Sequence, residues 1–245
     1  MASIPDIARE ELGLIPEEPF HKSPSRVQAD LFEIRWKGRP ALLKDYSRRP
    51  PFLRLWLTPV LTAREFRALR RIQDVTGVPE LLARVGRDAF LMEKLDAYRI
   101  PRNKDKDIRP SPAYFDAVAE LVSSLHDRGI AHGDLRRKNI MLNSEEKPFL
   151  IDFGTAVTAK PGFWGLPSRI LFRRVAKVDC VTLARIKYEF YPDALTPQER
   201  HELEHPPYWL RFGQFFKKRI YRLKKPHHRK AFIKKIRSRV RSVFD

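Results

Sequence analysis

The chain has 245 residues, 42% of them hydrophobic and 11% aromatic, which is the composition of a globular protein and excludes a largely disordered one. Its one cysteine cannot form an internal disulfide, so the sequence favours the reducing cytoplasm. It shows neither a signal-peptide pattern nor a run of about eighteen apolar residues, so we expect a protein that is soluble or peripheral to a membrane.

The net charge of +19 is concentrated at the carboxyl end of the chain. Residues 211–245 contain fourteen lysines and arginines against one acid, and apolar residues recur there at helical spacing, namely Phe232, Ile236, Val240 and Val243. The pattern predicts a basic amphipathic helix on an anionic membrane surface. A helix packed on the rest of the protein, with a solvated basic face, would give the same pattern. Nucleic acid is the least favoured partner, because no RNA-binding module is recognisable.

The first half of the chain predicts mainly strands. Residues 1–24 contain four prolines and are interpreted as an extended N-terminal arm. After it, alternating or short apolar runs predict four strands, and the helical spacing of Phe66, Leu69 and Ile72 predicts one helix. In chain order these are strands at 31–36 and 41–46, a helix from Thr62, and strands at 81–85 and 89–95.

The second half predicts a mostly helical region. A polar stretch at 101–111 precedes a helix, and Gly129 suits the position just past its end. The apolar stripe of that helix is Phe115, Val118, Val122 and Leu125. A loop at 130–139 and two short strands, NIML and FLID, follow. The order of elements indicates an α+β protein of two lobes.

The residues that predict chemistry are concentrated in two segments, HGDLRRKNIML at 132–142 and IDFG at 151–154. Phosphoryl transfer needs a carboxylate that accepts the proton of the attacking hydroxyl, and oxygen ligands for Mg²⁺. Asp134, in a loop after a helix, suits the first role, whereas Asn139 and Asp152 suit the second. Gly154 is expected to allow a sharp turn that exposes the Asp152 carboxylate.

This pattern, H-x-D-L-x-x-x-x-N followed by D-F-G, resembles the signature of the protein-kinase-like superfamily over roughly residues 28–190. The resemblance implies ATP as phosphoryl donor, Mg²⁺ as cofactor and a two-lobed fold with a reduced C-lobe and a basic C-terminal helix. The implied divisions are an N-terminal arm at 1–24, a small nucleotide-binding lobe at 25–95, a reduced helical catalytic lobe at 96–210 and a basic tail at 211–245.

The same resemblance assigns nucleotide-binding residues upstream. Lys44 would hold the α- and β-phosphates, with Glu65 as its ion-pair partner on the first helix. Thr62 and Glu65 also have the spacing of a capping box, in which Glu65 would bond back to the Thr62 amide. The adenine-binding hinge would consist of the gatekeeper Met92 and the backbones of Glu93 and Leu95.

Further roles are implied around the loop of Asp134. His132 is expected to support the loop, and Asp179 to brace it from a following helix. Arg136 occupies the position of a residue that contacts the γ-phosphate, an interaction a guanidinium can make in bidentate form. With Arg137 and Lys138 beside it, a solvated basic turn is the alternative.

Two features depart from the superfamily pattern. No glycine occurs between His21 and Lys37, where a glycine-rich phosphate loop would lie, so Ser23, Ser25 and backbone amides would have to cover the phosphates. No A-P-E motif follows Gly154. This reduced architecture resembles a compact branch that includes RIO-type kinases and the lipopolysaccharide core (Kdo/heptose) kinases.

The favoured acceptor is therefore the hydroxyl of a lipopolysaccharide core sugar or related glycolipid, at the inner face of a bacterial cytoplasmic membrane. The apolar segment 162–172, with Phe163 and Trp164, and the basic loop around Arg136 support it. A RIO-like protein serine/threonine kinase is the first alternative. A non-catalytic pseudokinase scaffold is the second, because the glycine-rich loop is missing.

Overall fold

The computed structural model describes residues 4–13, 15–22, 28–101, 109–162 and 165–206. The chain separates into two compact units, Met1–Glu199 and Arg200–Asp245. The predicted tail at 211–245, the pair Phe163 and Trp164, and the serines Ser23 and Ser25 all lie outside the described residues. Within the described part, no helix combines the length and apolar character needed to cross a bilayer.

A twisted five-stranded sheet forms the first half of the first unit. Its spatial order is β1-β4-β5-β3-β2, and every neighbouring pair is antiparallel except β1 with β4. The strands are β1 (Asp6–Ile7), β2 (Asp30–Trp36), β3 (Arg39–Asp45), β4 (Leu81–Val85) and β5 (Ala89–Glu93). The four strands predicted from the sequence are confirmed.

The N-terminal arm prediction is corrected in part. Strand β1 pairs in parallel with β4, and a 3-10 turn at Arg9–Leu12 follows it. Ile7 and Leu12 are buried with the apolar residues on one face of the sheet. Residues 6–12 are therefore part of the folded sheet, because their two apolar side chains cover a face that would otherwise meet water.

Two consecutive helices connect β3 to β4. Helix α1 spans Pro51–Trp56 and helix α2 spans Thr58–Arg71. The predicted start at Thr62 is wrong by one turn, because Pro59, in the first turn of α2, suits an earlier helix start. The predicted apolar stripe is confirmed, since Phe66, Leu69 and Ile72 are all buried.

The second half supplies the other helices and short strands. They are β6 (Tyr98–Arg99), α3 (Pro112–Asp127), β7 (Ile130–Ala131), β8 (Ile140–Leu142), β9 (Pro148–Leu150), β10 (Val157–Thr158), α4 (Leu166–Phe190) and α5 (Pro197–Glu204). Strands β6, β8 and β9 form one small sheet, and β7 pairs with β10. Helix α3 carries the predicted stripe, and all four of its residues are buried. The α+β fold class is confirmed.

One apolar core joins the two halves of the first unit. The α2 residues Phe66 and Leu69 belong to the same buried cluster as Phe115 and Leu125 of α3 and Phe153 of the loop after β9. A second cluster lies on one face of the sheet, where Phe32, Ile34 and Leu43 are buried. Because side chains alternate along a strand, Lys44 points to the opposite face from Leu43.

Candidate functional site

The loop that carries Asp134 is fixed by a buried carboxylate of α4. Asp179 is fully buried, and its two oxygens accept hydrogen bonds from the backbone amides of His132 at 2.7 Å and Gly133 at 3.0 Å. Buried amides need such partners. Asp179 therefore fixes the chain immediately before Asp134, which is the bracing position that the resemblance assigned to it.

Gly133 is required by the close approach of two loops. Its φ of 78° lies in the left-handed region, and a Cβ at this position would lie 2.8 Å from the carbonyl oxygen of Thr155. A side chain here would be strained and would push the two loops apart. The glycine of the HGDL motif thus keeps the Asp134 loop against the segment that follows Asp152.

His132 connects the same two segments. It is buried, its Nε2 lies 3.0 Å from the carbonyl oxygen of Ile151, and its ring centroid is 4.9 Å from that of Phe153. A carbonyl only accepts, so Nε2 carries the hydrogen, and Nδ1 then accepts the Asp134 amide at 3.3 Å. This position suits the supporting role predicted for His132.

The Asp134 carboxylate is partly exposed and contacts two residues of its own loop. The Asn139 side-chain amide donates to the Asp134 carbonyl oxygen at 2.9 Å and to Oδ2 at 3.3 Å. The Arg136 guanidinium lies 2.5 Å from the same Oδ2. The structure therefore brings Asp134, Arg136 and Asn139 together. The contact between Arg136 and the carboxylate was not predicted.

Asp152 lies beside this loop in a strained conformation. Its φ of 67° and ψ of 69° are left-handed, which is uncommon for a residue with a side chain. The prediction that Asp152 ends a strand and that Gly154 makes the turn is corrected, because β9 ends at Leu150 and the positive φ belongs to Asp152 itself. Gly154 lies against this carboxylate, since a Cβ there would be in ordinary contact with Asp152 Oδ1 at 3.4 Å.

A largely buried lysine, 12% exposed, links Asp152 to α2. The ammonium of Lys44 lies 2.8 Å from Glu65 Oε1 and 3.2 Å from Asp152 Oδ1. Burial opposes the charge of Lys44, but the two carboxylates, Glu65 first, outweigh it and raise the pKa of Lys44 above its ordinary value. Lys44 in turn lowers the pKa of Asp152. Both groups are therefore charged at neutral pH.

The capping-box alternative for Glu65 is wrong. Thr62 lies inside α2, and its hydroxyl donates to the Thr58 carbonyl oxygen at 2.8 Å. Glu65 is 1% exposed and bonds to Lys44. A capping box requires the threonine to stand before the first turn of the helix, and the true start at Thr58 removes that condition.

The hinge residues follow the same sheet. Met92 and Glu93 end β5, where Met92 pairs with Leu42 and Glu93 with Ala41 of β3. Leu95 follows the strand and is half-buried. The Glu93 amide donates to the Glu80 carbonyl at 2.8 Å. The adenine-binding role of these three residues stays a prediction.

The donor set fits a magnesium ion that is completed by phosphates and water. The Asn139 amide nitrogen is occupied by Asp134, so the side-chain oxygen is the atom available for a metal. The Asp152 carboxylate is 40% exposed, and the Ile151 amide binds the Asn139 carbonyl oxygen at 3.0 Å, which keeps the two segments adjacent. Among the described residues no group of three His, Cys, Asp or Glu could hold a metal. Magnesium does not need such a group, because it commonly binds through one or two carboxylates together with phosphates and water.

In addition to the amides of His132 and Gly133, His126 of α3 also contacts Asp179. The sequence did not predict this contact. The His126 Nε2 lies 3.3 Å from Asp179 Oδ2, the oxygen that also accepts the His132 amide. Burial lowers the pKa of His126, but hydrogen bonds with Asp179 and then Cys180 outweigh it and raise the pKa to about 9. No local pattern in the sequence relates His126 to an aspartate 53 residues away.

This raised pKa predicts a pH-dependent stability. A folded-state pKa of about 9 exceeds the unfolded value of about 6.5. The stabilisation by protonated His126 is thus complete below pH of about 6.5 and lost as the pH rises to about 9. We expect His126→Gln to lower the free energy of unfolding by about 1–3 kcal/mol at pH 6, and by much less at pH 9.5.

Urea unfolding of both proteins across this pH range measures the difference. His21→Gln is the matched control, because it makes the same substitution at an exposed histidine. A difference for His126→Gln that does not change with pH would contradict the assignment of the charge to His126.

Comparison with known proteins agrees with this geometry. Residues 44–164 match the model of the RIO domain, a span that begins at Lys44 and contains Glu65, Asp134, Asn139 and Asp152. The match covers just under half of the chain. It supports a RIO-type, protein-kinase-like domain in this region.

Three curated proteins are similar over parts of the chain. A probable bifunctional tRNA threonylcarbamoyladenosine biosynthesis protein of Methanothermobacter thermautotrophicus is 26% identical over 155 residues, 62% of this chain and 28% of the relative. A probable SapB synthase of Streptomyces coelicolor is 31% identical, covering 58% of this chain and 18% of the relative. The serine/threonine-protein kinase kin-29 of Caenorhabditis briggsae is 49% identical over 41 residues, 17% of this chain and 5% of the relative. The chain spans less than a third of each of these relatives.

Proposed function

We propose that this chain, with a RIO domain match at 44–164 and a protein-kinase-like site, transfers the γ-phosphate of ATP to a hydroxyl. Mg²⁺ is the cofactor of the transfer. The observation that carries the proposal is the connected set of Lys44, Glu65 and Asp152, with Asn139 held next to Asp152 and hydrogen-bonded to Asp134. These are the groups that phosphoryl transfer needs.

Each residue has a defined role in this proposal. Asp134 accepts the proton of the acceptor hydroxyl while the oxygen of that hydroxyl bonds to the γ-phosphorus and ADP leaves. Lys44, kept charged by Glu65, binds the α- and β-phosphates. Asn139 and Asp152 would hold Mg²⁺, which when bound would neutralise the charge on the phosphate oxygens.

Arg136 has a double role in the proposal. In the structure it pairs with Asp134, whereas the resemblance assigns it to the γ-phosphate. Its side chain is 46% exposed, so exchange between the two partners costs little. Arg136 would thus orient the carboxylate before nucleotide binds and contact the phosphate afterwards.

The acceptor we favour is a lipopolysaccharide core sugar or a related glycolipid. The first half of α4 presents an exposed apolar and basic surface, made of Leu166, Arg169, Ile170, Leu171, Arg173 and Arg174. The same helix passes beside the Asp134 loop, since a Cβ at Gly133 would lie 3.3 Å from the side chain of Val175. An acceptor with apolar chains and anionic sugars matches both properties of the surface.

A protein hydroxyl is the second candidate. The similarity to a serine/threonine-protein kinase covers 17% of the chain, and the RIO domain match favours the same class. The scaffold alternative is less favoured because Asp134, Asn139 and Asp152 are all present.

Phosphate transfer from labelled ATP distinguishes these candidates. The full chain with Mg²⁺ is incubated in parallel with a lipopolysaccharide core preparation and with a bacterial protein extract. We expect label in the glycolipid at least tenfold above the Asp152→Asn blank. Label confined to a protein would favour the second candidate, and ATP binding without any labelling would favour the scaffold.

A further inference from the structure

Four large apolar side chains at the α1–α2 junction are exposed. Phe52, Leu55, Trp56 and Val60 are 67%, 59%, 78% and 58% exposed. We call these four residues the α1 patch. Single exposed apolar residues are ordinary, but four within nine residues, two of them aromatic, form a surface that water solvates poorly.

The α1 patch is held in place by polar contacts on the other side of the two helices. The Thr58 hydroxyl donates to Asp88 Oδ1 at 2.9 Å, and the Arg54 guanidinium lies 3.3 Å from Asp88 Oδ2. Asp88 belongs to the turn between β4 and β5, and its carbonyl oxygen accepts the Tyr46 amide at 2.9 Å. The exposed side chains therefore stand on a helical segment that Arg54 and Thr58 tie to the turn between β4 and β5.

The chain around the α1 patch is strongly basic. Residues 46–73 contain seven arginines and a single acid, Glu65, which is buried and paired with Lys44. Arg67 is exposed and lies two turns after Val60, so it extends the same face of α2. Two of the seven arginines pair with carboxylates of other elements, Arg49 with Asp30 and Arg54 with Asp88, and between Tyr46 and Gln73 no exposed carboxylate opposes an anionic partner.

We propose that the α1 patch docks the first unit on an anionic phospholipid bilayer. Aromatic and leucine side chains on a short helix flanked by arginines are suited to the boundary between headgroups and acyl chains. Arg67, exposed on the same face as Val60, adds attraction to anionic headgroups. The residues of this surface are distant in sequence from the predicted tail at 211–245, and the inference does not depend on the acceptor or on catalysis.

The first test reads the position of the α1 patch directly. An environment-sensitive fluorophore is attached to Leu55→Cys in the Cys180→Ser full chain, and the same label on Tyr188→Cys is the control, because Tyr188 is also half exposed but lies on α4. With vesicles of phosphatidylglycerol and phosphatidylcholine, we expect a blue shift at position 55 and none at 188. No shift at 55 overturns the proposal. A blue shift at position 55 that appears without vesicles when the protein concentration is raised also overturns the proposal, because it identifies a second copy of the chain as the partner.

The second test measures partition into the same vesicles by sedimentation. Phe52→Ser/Trp56→Ser should weaken partition at least tenfold, because binding scales with buried apolar area. Arg67→Ala should weaken it about fivefold, and Tyr188→Ser should not change it. Wild-type partition of the double variant overturns the proposal, since the tail alone would then account for binding. Unaltered ATP-dependent labelling in solution by the double variant keeps this result separate from the proposed function.

Discussion

Asp134→Asn is expected to lower phosphate transfer by roughly two to four orders of magnitude, the usual cost of losing a positioned proton acceptor. Asparagine has the same shape, and the Asn139 bond to the backbone carbonyl at 134 does not involve the carboxylate. The loop should therefore keep its path, since Asp179 holds the preceding amides. Single-turnover kinetics at saturating ATP measure the loss, and thermal unfolding checks the fold.

The variant also removes the ion pair with Arg136, so a control must separate the two effects. Arg136→Gln removes the same ion pair but keeps the carboxylate, and we expect it to lose much less activity than Asp134→Asn. Exposed pairs of this kind contribute about 0–1 kcal/mol to stability, so neither variant should unfold much earlier than wild type. Equal losses in the two variants would show that Arg136, through the ion pair or its proposed phosphate contact, matters as much as the carboxylate, and would contradict a dominant role for Asp134 as proton acceptor.

The strands and helices that the sequence predicted well are those with local signals. The 31–36 and 41–46 runs alternate around a two-residue turn, and the stripe on α3 repeats at helical spacing over four buried residues. These patterns depend on residues close together in the chain. The start of α2 was missed because Thr58 and Thr62 both resemble helix starts. Only Pro59, which suits the first turn of a helix, indicates that the helix begins at Thr58.

Structural features formed by residues that are far apart in the chain could not be predicted from local sequence patterns. Strand β1 has two residues, and only its pairing with β4, nearly eighty residues later, makes it a strand. The contact of His126 with Asp179 is of this kind too. The candidate site itself was accessible because motif spacing carries it, as for Asp134, Asn139 and Asp152. Their contacts with Lys44 and Arg136 required the three-dimensional structure.

Lys44→Met is expected to lower the free energy of unfolding by about 3–5 kcal/mol, the usual cost of leaving one charge of a buried pair without its partner. Glu65 is 1% exposed, and its Oε2 has no hydrogen-bond partner within the described residues. Burial raises the pKa of Glu65, and Lys44 opposes that rise. In the variant, the destabilisation comes from the charged and unpaired Glu65 carboxylate. It should be full above the folded-state pKa of Glu65 and should shrink as the pH falls through that pKa, because protonation removes the charge.

The double variant Lys44→Met/Glu65→Leu separates folding from function. Replacing both members of a buried ion pair with apolar residues is often neutral or stabilising, so we expect the double variant to unfold within about 1 kcal/mol of wild type, as measured with urea at pH 7. Asp152 loses its lysine in both variants but is 40% exposed, so water replaces that partner. Phosphate transfer should stay at the blank level in both, because the proposed ligand of the α- and β-phosphates is gone. Recovery of transfer together with stability would show that Lys44 acts only through the fold, and would remove it from the active site.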